Sequence, residues 1–329
     1  MASRKLIRAS AVTIGAAFGL VLVSVVLIVP AAVAGPPSCA VSNPRTHKGY
    51  DSLQAGVDAA KPRDTLEVSG RCVGSTTVAK DIAIQGAAGP GFPTLDGDRA
   101  GTVVHITRGT TTIDGLKIMG GVADVSSPDN GGDCCVGGGI AVSGDKAGAR
   151  LVNSLVTGNS ASLFGGGIDV DEGTLDLVNS TVSANTADQG SGGIDTDFGT
   201  VSLTGSTVSG NTVANGSAGG IWNFGGTLTL NTSTISGNSA SNPDPAVLAR
   251  GGGIRNQSQL DANGNVVSQA TLTLGGTTTI TGNQAEQGGG ISNRPLSTVL
   301  AVNWTGSISG NTPDQCNPTL TIGSTSCGA

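Results

Sequence analysis

The chain is poor in most of the residues that build an ordinary enzyme. Aromatic side chains make up 2% of it and charged ones 12%, and it has only two histidines and two methionines. An average globular domain carries about twice that share of charge and a fuller set of aromatic and helix-forming residues. Scarce charge also argues against an intrinsically disordered chain, and Val, Ile and Leu are plentiful. The balance is 17 basic to 23 acidic residues, net −6, with no basic cluster after the first residues. That excludes the electrostatic footprint of non-specific nucleic-acid binding. No Cys-x-x-Cys pair occurs, and the histidines are His47 and His105, so a zinc site is not expected. What is abundant is glycine, 54 residues of it, with Ser, Thr, Asn and Val. This is the composition of many short strands joined by tight turns.

One long apolar run breaks the pattern. Arg4, Lys5 and Arg8 precede an apolar stretch from Ala11 to Val29, and Ala32-Val33-Ala34 supplies small residues for cleavage. Residues 1–34 therefore read as a signal peptide. Its loss would remove three positive charges and leave a more acidic chain. The run also approaches the length of a membrane span, so an uncleaved anchor is the alternative and the one route to a membrane. Export places the protein outside the cell, free or attached to a surface, where disulfides are permitted. All six cysteines follow the run: Cys39, Cys72, Cys134, Cys135, Cys316 and Cys327. Their placement suggests staples at the two ends, Cys39 to Cys72 and Cys316 to Cys327. The adjacent Cys134 and Cys135 form either a vicinal bridge or two free thiols.

Internal repeats dominate the remainder. Gly-Gly-Ile recurs with its Ile at 140, 168, 194, 221, 254 and 291. A second element, Val or Ile followed three residues later by Asn, ends at Asn159, Asn185, Asn211, Asn238, Asn283 and Asn311. Between them lies Thr-Leu-x-Leu or a close variant, at Thr174, Thr200, Thr227 and Thr271. Three short alternating segments in each unit of 26 to 28 residues are too little chain for three hairpins with loops. They fit one turn of a three-faced coil, each strand pairing with its equivalent in the next coil about 4.8 Å away. Stacked coils bury a continuous aliphatic column that no single coil closes alone. A leucine-rich repeat is the rival, but the segment after Ser183 has no apolar helical face. The repeated Asn residues are expected to form an amide ladder, and Asn223, Asn256 and Asn293 a second one inside the coil. Upstream, Leu53, Val57 and Ala60 share one helical face behind an N-cap at Asp51 or Ser52, which reads as a helix closing the open end. The expected organisation is an N-terminal cap over residues 35–62, a parallel β-helix over 63–312, and a disulfide-closed C-terminal cap over 313–329.

On these motifs the mature chain resembles right-handed, single-stranded parallel β-helix proteins of the pectate-lyase-like superfamily. Its Gly-Gly-Ile and Val-x-x-Asn repeats are similar to the GGA[IVL] and FxxN repeats of polymorphic outer membrane proteins, with Val or Ile where that family has Phe. The resemblance implies an all-β fold and says little of chemistry, because this fold carries lyases, hydrolases, epimerases, adhesins and inert spikes.

Alignment on the repeat Ile predicts one chemically distinct outer face. Asp169 and Asp171 would lie beside Asp195 and Asp197, then Trp222 and Phe224, then Arg255. Four clustered carboxylates raise one another's pKa or recruit a cation, which makes Asp169, Asp171, Asp195 and Asp197 a candidate calcium site. Paired carboxylates also suit glycoside hydrolysis. In calcium-dependent lyases of this fold an Arg is the base, so the resemblance marks Arg255. The catalytic candidates are thus Asp169, Asp195 and Arg255, and the ligand-binding candidates Trp222, Phe224 and Arg255. None of the active-site strings of pectate lyases or polygalacturonases is present, and aspartates on a strand's outer face are often merely solvated. The Thr-x-Thr columns resemble the flat faces of ice-binding β-helices, although Thr is also simply a good strand former. The expected function is a secreted or cell-surface structural, adhesive or polysaccharide-binding role, with a polysaccharide or the cell envelope as partner. A polysaccharide lyase or hydrolase at the aspartate face is the alternative.

Overall fold

The computed structural model describes residues 38–89, 91–124, 137–323 and 325–328. The leader at residues 1–34 and the Cys134–Cys135 pair lie outside the described residues. The described chain is a parallel β-helix. Its strands form stacked sheets of eleven, nine and nine strands, in which sequence-distant strands from successive coils are neighbours. The repeat isoleucines stack as expected: Ile140, Ile168, Ile194, Ile221, Ile254 and Ile291 pair in direct register. Every one is fully buried. Each such side chain contributes about 1.5–3 kcal/mol by leaving water, and the stack makes one core out of coils that have none alone.

The coil has a corner that the alternating pattern did not show. Val122–Ala123, Ser160–Ala161, Thr186–Ala187, Thr212–Val213 and Ser239–Ala240 form a fourth, five-stranded parallel sheet. Two residues are too short for an alternating signature. The corner before it carries the amide ladder. Asn159, Asn185, Asn211, Asn238, Asn283 and Asn311 each donate from Nδ2 to the next coil's amide at 2.9–3.0 Å, ending on Gln315 Oε1. The interior ladder also forms, Asn223 to Asn256 to Asn293, at 2.8 Å per step. The Thr columns stack too, Thr174, Thr200, Thr227, Thr271 and Thr298 in register.

Both ends are closed by similar devices. The helix Leu53–Ala59 is capped by the Ser52 side chain and buries Leu53, Gly56 and Val57. Beside it, Ala40–Asn43 and Lys48–Tyr50 add an antiparallel hairpin that covers the first edge of the eleven-stranded sheet. The bridges Cys39–Cys72 and Cys316–Cys327 are both present, with Cα–Cα distances of 4.5 and 5.4 Å. Cys72 stands in register with Leu95, and Leu95 with Ile118. Cys316 stands in register with Ile291. Each disulfide thus takes an aliphatic place in the terminal coil, where the core column has no further coil to bury it. The Cys39→Ser/Cys72→Ser variant is expected to lose about 3–4 kcal/mol in urea unfolding, from the 33-residue separation that the bridge closes. Among the described residues no helix is long and apolar enough to cross a membrane.

Candidate functional site

The face carrying the repeat Ile strands holds the concentrated chemistry. Its first outward column runs His105, Ala141, Asp169, Asp195, Trp222, Arg255 and Ser292, one residue per coil in register. A parallel column two residues on pairs Ser143 with Asp171, and Asp197 with Phe224 and then Gln257. The candidate residues are therefore brought together in the order expected. His105, in a coil ahead of the first Gly-Gly-Ile, begins this column. Its Nε2 lies 3.1 Å from Ser143 Oγ. It stands two coils, about 10 Å, from Asp169, too far to act with it.

The aspartates are not the open grid that strand alternation suggests. Asp169 is 6% exposed and Asp195 only 1%. The cause is the turn that enters each of these strands. It folds back over the first outward position, using left-handed residues such as Gly165 (φ 61°) and Gly190 (φ 64°). A methyl group on Gly165 would press on Asp169 Cβ, and one on Gly190 would meet the Phe164 ring and the Asp195 carboxylate. Glycine is required there both for its backbone angle and for this close approach.

Burial sets the electrostatics. The Asp195 carboxyl is pushed well above the usual range, first by desolvation, then by Asp197 and Asp169, with Arg255 and the Ser191 amide opposing. Its Oδ2 is buried without a hydrogen-bond partner. Asp197 is raised to about 6 by desolvation and by Asp171. Among the described residues, no three His, Cys, Asp or Glu side chains gather in the manner of a metal site. The sealed Asp195 also cannot reach a glycosidic oxygen unless the Phe164 turn moves, so the acid pair is poorly placed for hydrolysis.

The neighbouring coils carry a different arrangement. Phe164 meets Trp222 edge-on at 6.1 Å, Trp222 meets Phe224 at 6.3 Å, and Phe224 meets Phe198 at 5.5 Å. The chain has five Phe, two Trp and one Tyr, so half of its aromatic residues lie in this one cluster. The Arg255 guanidinium sits 4.4 Å over the Trp222 ring. Next to Phe224 a groove of about 430 Å³ opens, lined among others by Gln257, Ser258, Leu260, Arg294 and Pro295. One wall comes from the hairpin Gln259–Leu260 and Val266–Ser268, which the insertion after Gln257 builds. Leu260, Val266 and Val267 are exposed on it. The sequence singles out Trp222, Phe224 and Arg255, and the insertion from Gln257 to Gln269, but not Phe164, Phe198 or Arg294. Phe164 and Phe198 lie between the strands, whereas Arg294 stands three residues after Ile291, as Phe224 and Gln257 stand after Ile221 and Ile254, and that spacing could have found it. The chain matches no family model, and neither the curated proteins nor the solved structures contain a significant match to it.

Proposed function

We propose that the protein is an exported, right-handed parallel β-helix of the pectate-lyase-like kind that binds a polysaccharide of the extracellular space or cell envelope. The observation that supports this most is the gathering of half of a scarce aromatic supply in one cluster, whose Phe224 lines a groove. Ligand sites combine an apolar wall with a few polar groups that fix orientation, at volumes of roughly 300–1,000 Å³. Phe224 and Leu260 supply the wall, and Gln257 and Arg294 the polar groups. The straight stack of coils extends the face along one axis, as a polymer requires. Burial of Asp195 favours binding over cleavage.

The test is a glycan-array screen of the exported chain, followed by calorimetry on any hit. Binding is expected, weakened at least tenfold by Phe224→Ala at unchanged melting temperature. A broad panel with no binder would remove the proposal.

A further inference from the structure

We propose that the edge strand Thr298–Val302 pairs antiparallel with the same strand of a second copy of this chain, so that two β-helices associate tail to tail about a twofold axis at Leu300.

The eleven-stranded sheet is finished differently at its two ends. At the N-terminal end the hairpin of Ala40–Asn43 and Lys48–Tyr50 covers the first coil, and the cap carries exposed charges at Arg45, Lys48, Asp51, Asp58, Lys61 and Arg63. At the other end Thr298–Val302 is the last strand, and among the described residues it pairs only with Thr271–Gly275. The hairpin of Leu320–Ile322 and Thr325–Cys327 forms a separate sheet and pairs with no strand of the stack. The two nine-stranded sheets finish on Ser307–Ser309 and Cys316–Asn317, short edges that offer little to pair with. Thr298–Val302 is longer and lacks the usual protection of an edge, having no charge, proline or bulge. On it Leu300 is 46% and Val302 54% exposed. Val299 and Ala301 pack against the core but stay half-buried, whereas Leu272 and Leu274 one coil earlier are fully buried.

The strand is complementary to itself. Thr298 N–H donates to Ala270 O, toward the stack. Alternation turns the N–H and C=O of Val299 and Ala301 to the open side. Antiparallel pairing centred on Leu300 sets Val299 against the second copy's Ala301, once on each side of the axis, and each such pair exchanges both hydrogen bonds. Leu300 then faces the second copy's Leu300 as a non-hydrogen-bonded pair, where opposed side chains come closest and the Cα atoms are about 4.5 Å apart. Thr298 meets Val302 at either end. One patch thus satisfies itself, as a twofold interface requires. Charge selects the same partner. The chain is acidic, net −6, so two copies repel, but from Pro295 to Ala329 the only charged side chain is Asp314. The end with the open edge is therefore the one that a second copy approaches at least electrostatic cost.

Sedimentation velocity of the exported chain over a dilution series is expected to show a species of twice the chain's mass that dissociates on dilution and persists in added salt. Leu300→Lys sets two like charges opposite each other and should weaken the association by about tenfold or more, at an unchanged melting temperature. Leu300→Cys should form a covalent dimer on oxidation, because a residue on the axis meets its own copy at disulfide distance. Thr273→Cys, one coil earlier in the same column, should not. A chain that stays monomeric at every concentration would overturn the inference, as would a dimer that Leu300→Lys leaves intact or that salt dissolves. Equal cross-linking of the two cysteine variants would overturn it as well, and so would open-ended polymers in place of a closed pair.

Discussion

Replacing Asn211 by alanine is expected to destabilise the protein by about 4 kcal/mol, although the residue touches no candidate ligand group. Its Oδ1 accepts from both the backbone N–H and the Nδ2 of Asn185. Its own Nδ2 donates to Val182 O and to Asn238 Oδ1. The side chain is fully buried, as are Asn185 and Asn238 on either side. Truncation therefore leaves two donors of Asn185 in a dry interior, each costing about 1–3 kcal/mol, and removes two further bonds. Leucine would not rescue the site, since the orphaned donors remain. Asn215 lies in the same coil but is exposed, and Asn215→Ala should change stability by less than about 0.5 kcal/mol. Urea unfolding of the two variants, compared at equal m-value, makes the measurement. An Asn211→Ala cost no larger than that of Asn215→Ala would mean that the ladder is decoration rather than a structural column.

The ladder was legible beforehand because it is periodic, and the same reasoning shows where legibility stopped. Ile168, Ile194 and Ile221 announce a stack through their spacing, and alternation then places Asp169 and Asp195 on the outer side. Alternation speaks only of the strand, however, and the turn ahead of it decides whether an outer side chain meets water. That turn depends on φ angles at Gly165 and Gly190, and glycine in the sequence does not reveal which hand it adopts. The aspartates were therefore correctly located and wrongly solvated. Arg294 is a different case. It stands three residues after Ile291, as Phe224 and Gln257 stand after Ile221 and Ile254, so extending the same alignment by one coil reaches it. Insertions in a solenoid map to loops on one face, often the binding face, and periodicity marks only where they begin. His105 is the exception that fits the rule: its coil precedes the first Gly-Gly-Ile, and only strand pairing shows that it heads the aspartate column.

The buried acids should make the protein lose stability as pH rises from 4 to 6, against the usual trend for carboxylates. Asp197 has its folded pKa raised to about 6, above the ordinary value of 3.8. Between those values the folded state holds a proton that the unfolded state has released, so the folded state binds more protons and stability falls with pH. The contribution is fully present below about 3.8 and lost above about 6. Two units correspond to nearly 3 kcal/mol, and partial exposure of the side chain reduces this to about 1–2 kcal/mol. Asp195 shifts in the same direction for the same first cause, desolvation, and adds to the slope. Asp197→Asn removes the ionising group while keeping its shape. It should leave stability near that of the parent at pH 3.5 and raise it by about 1–2 kcal/mol at pH 7. Asp195→Asn should act in the same sense, with its amide left to find a partner for the position now occupied by the unpaired Oδ2. Melting curves of parent and variants from pH 3.5 to 7.5 decide the matter. Parallel curves would show that neither carboxyl is neutral in the fold.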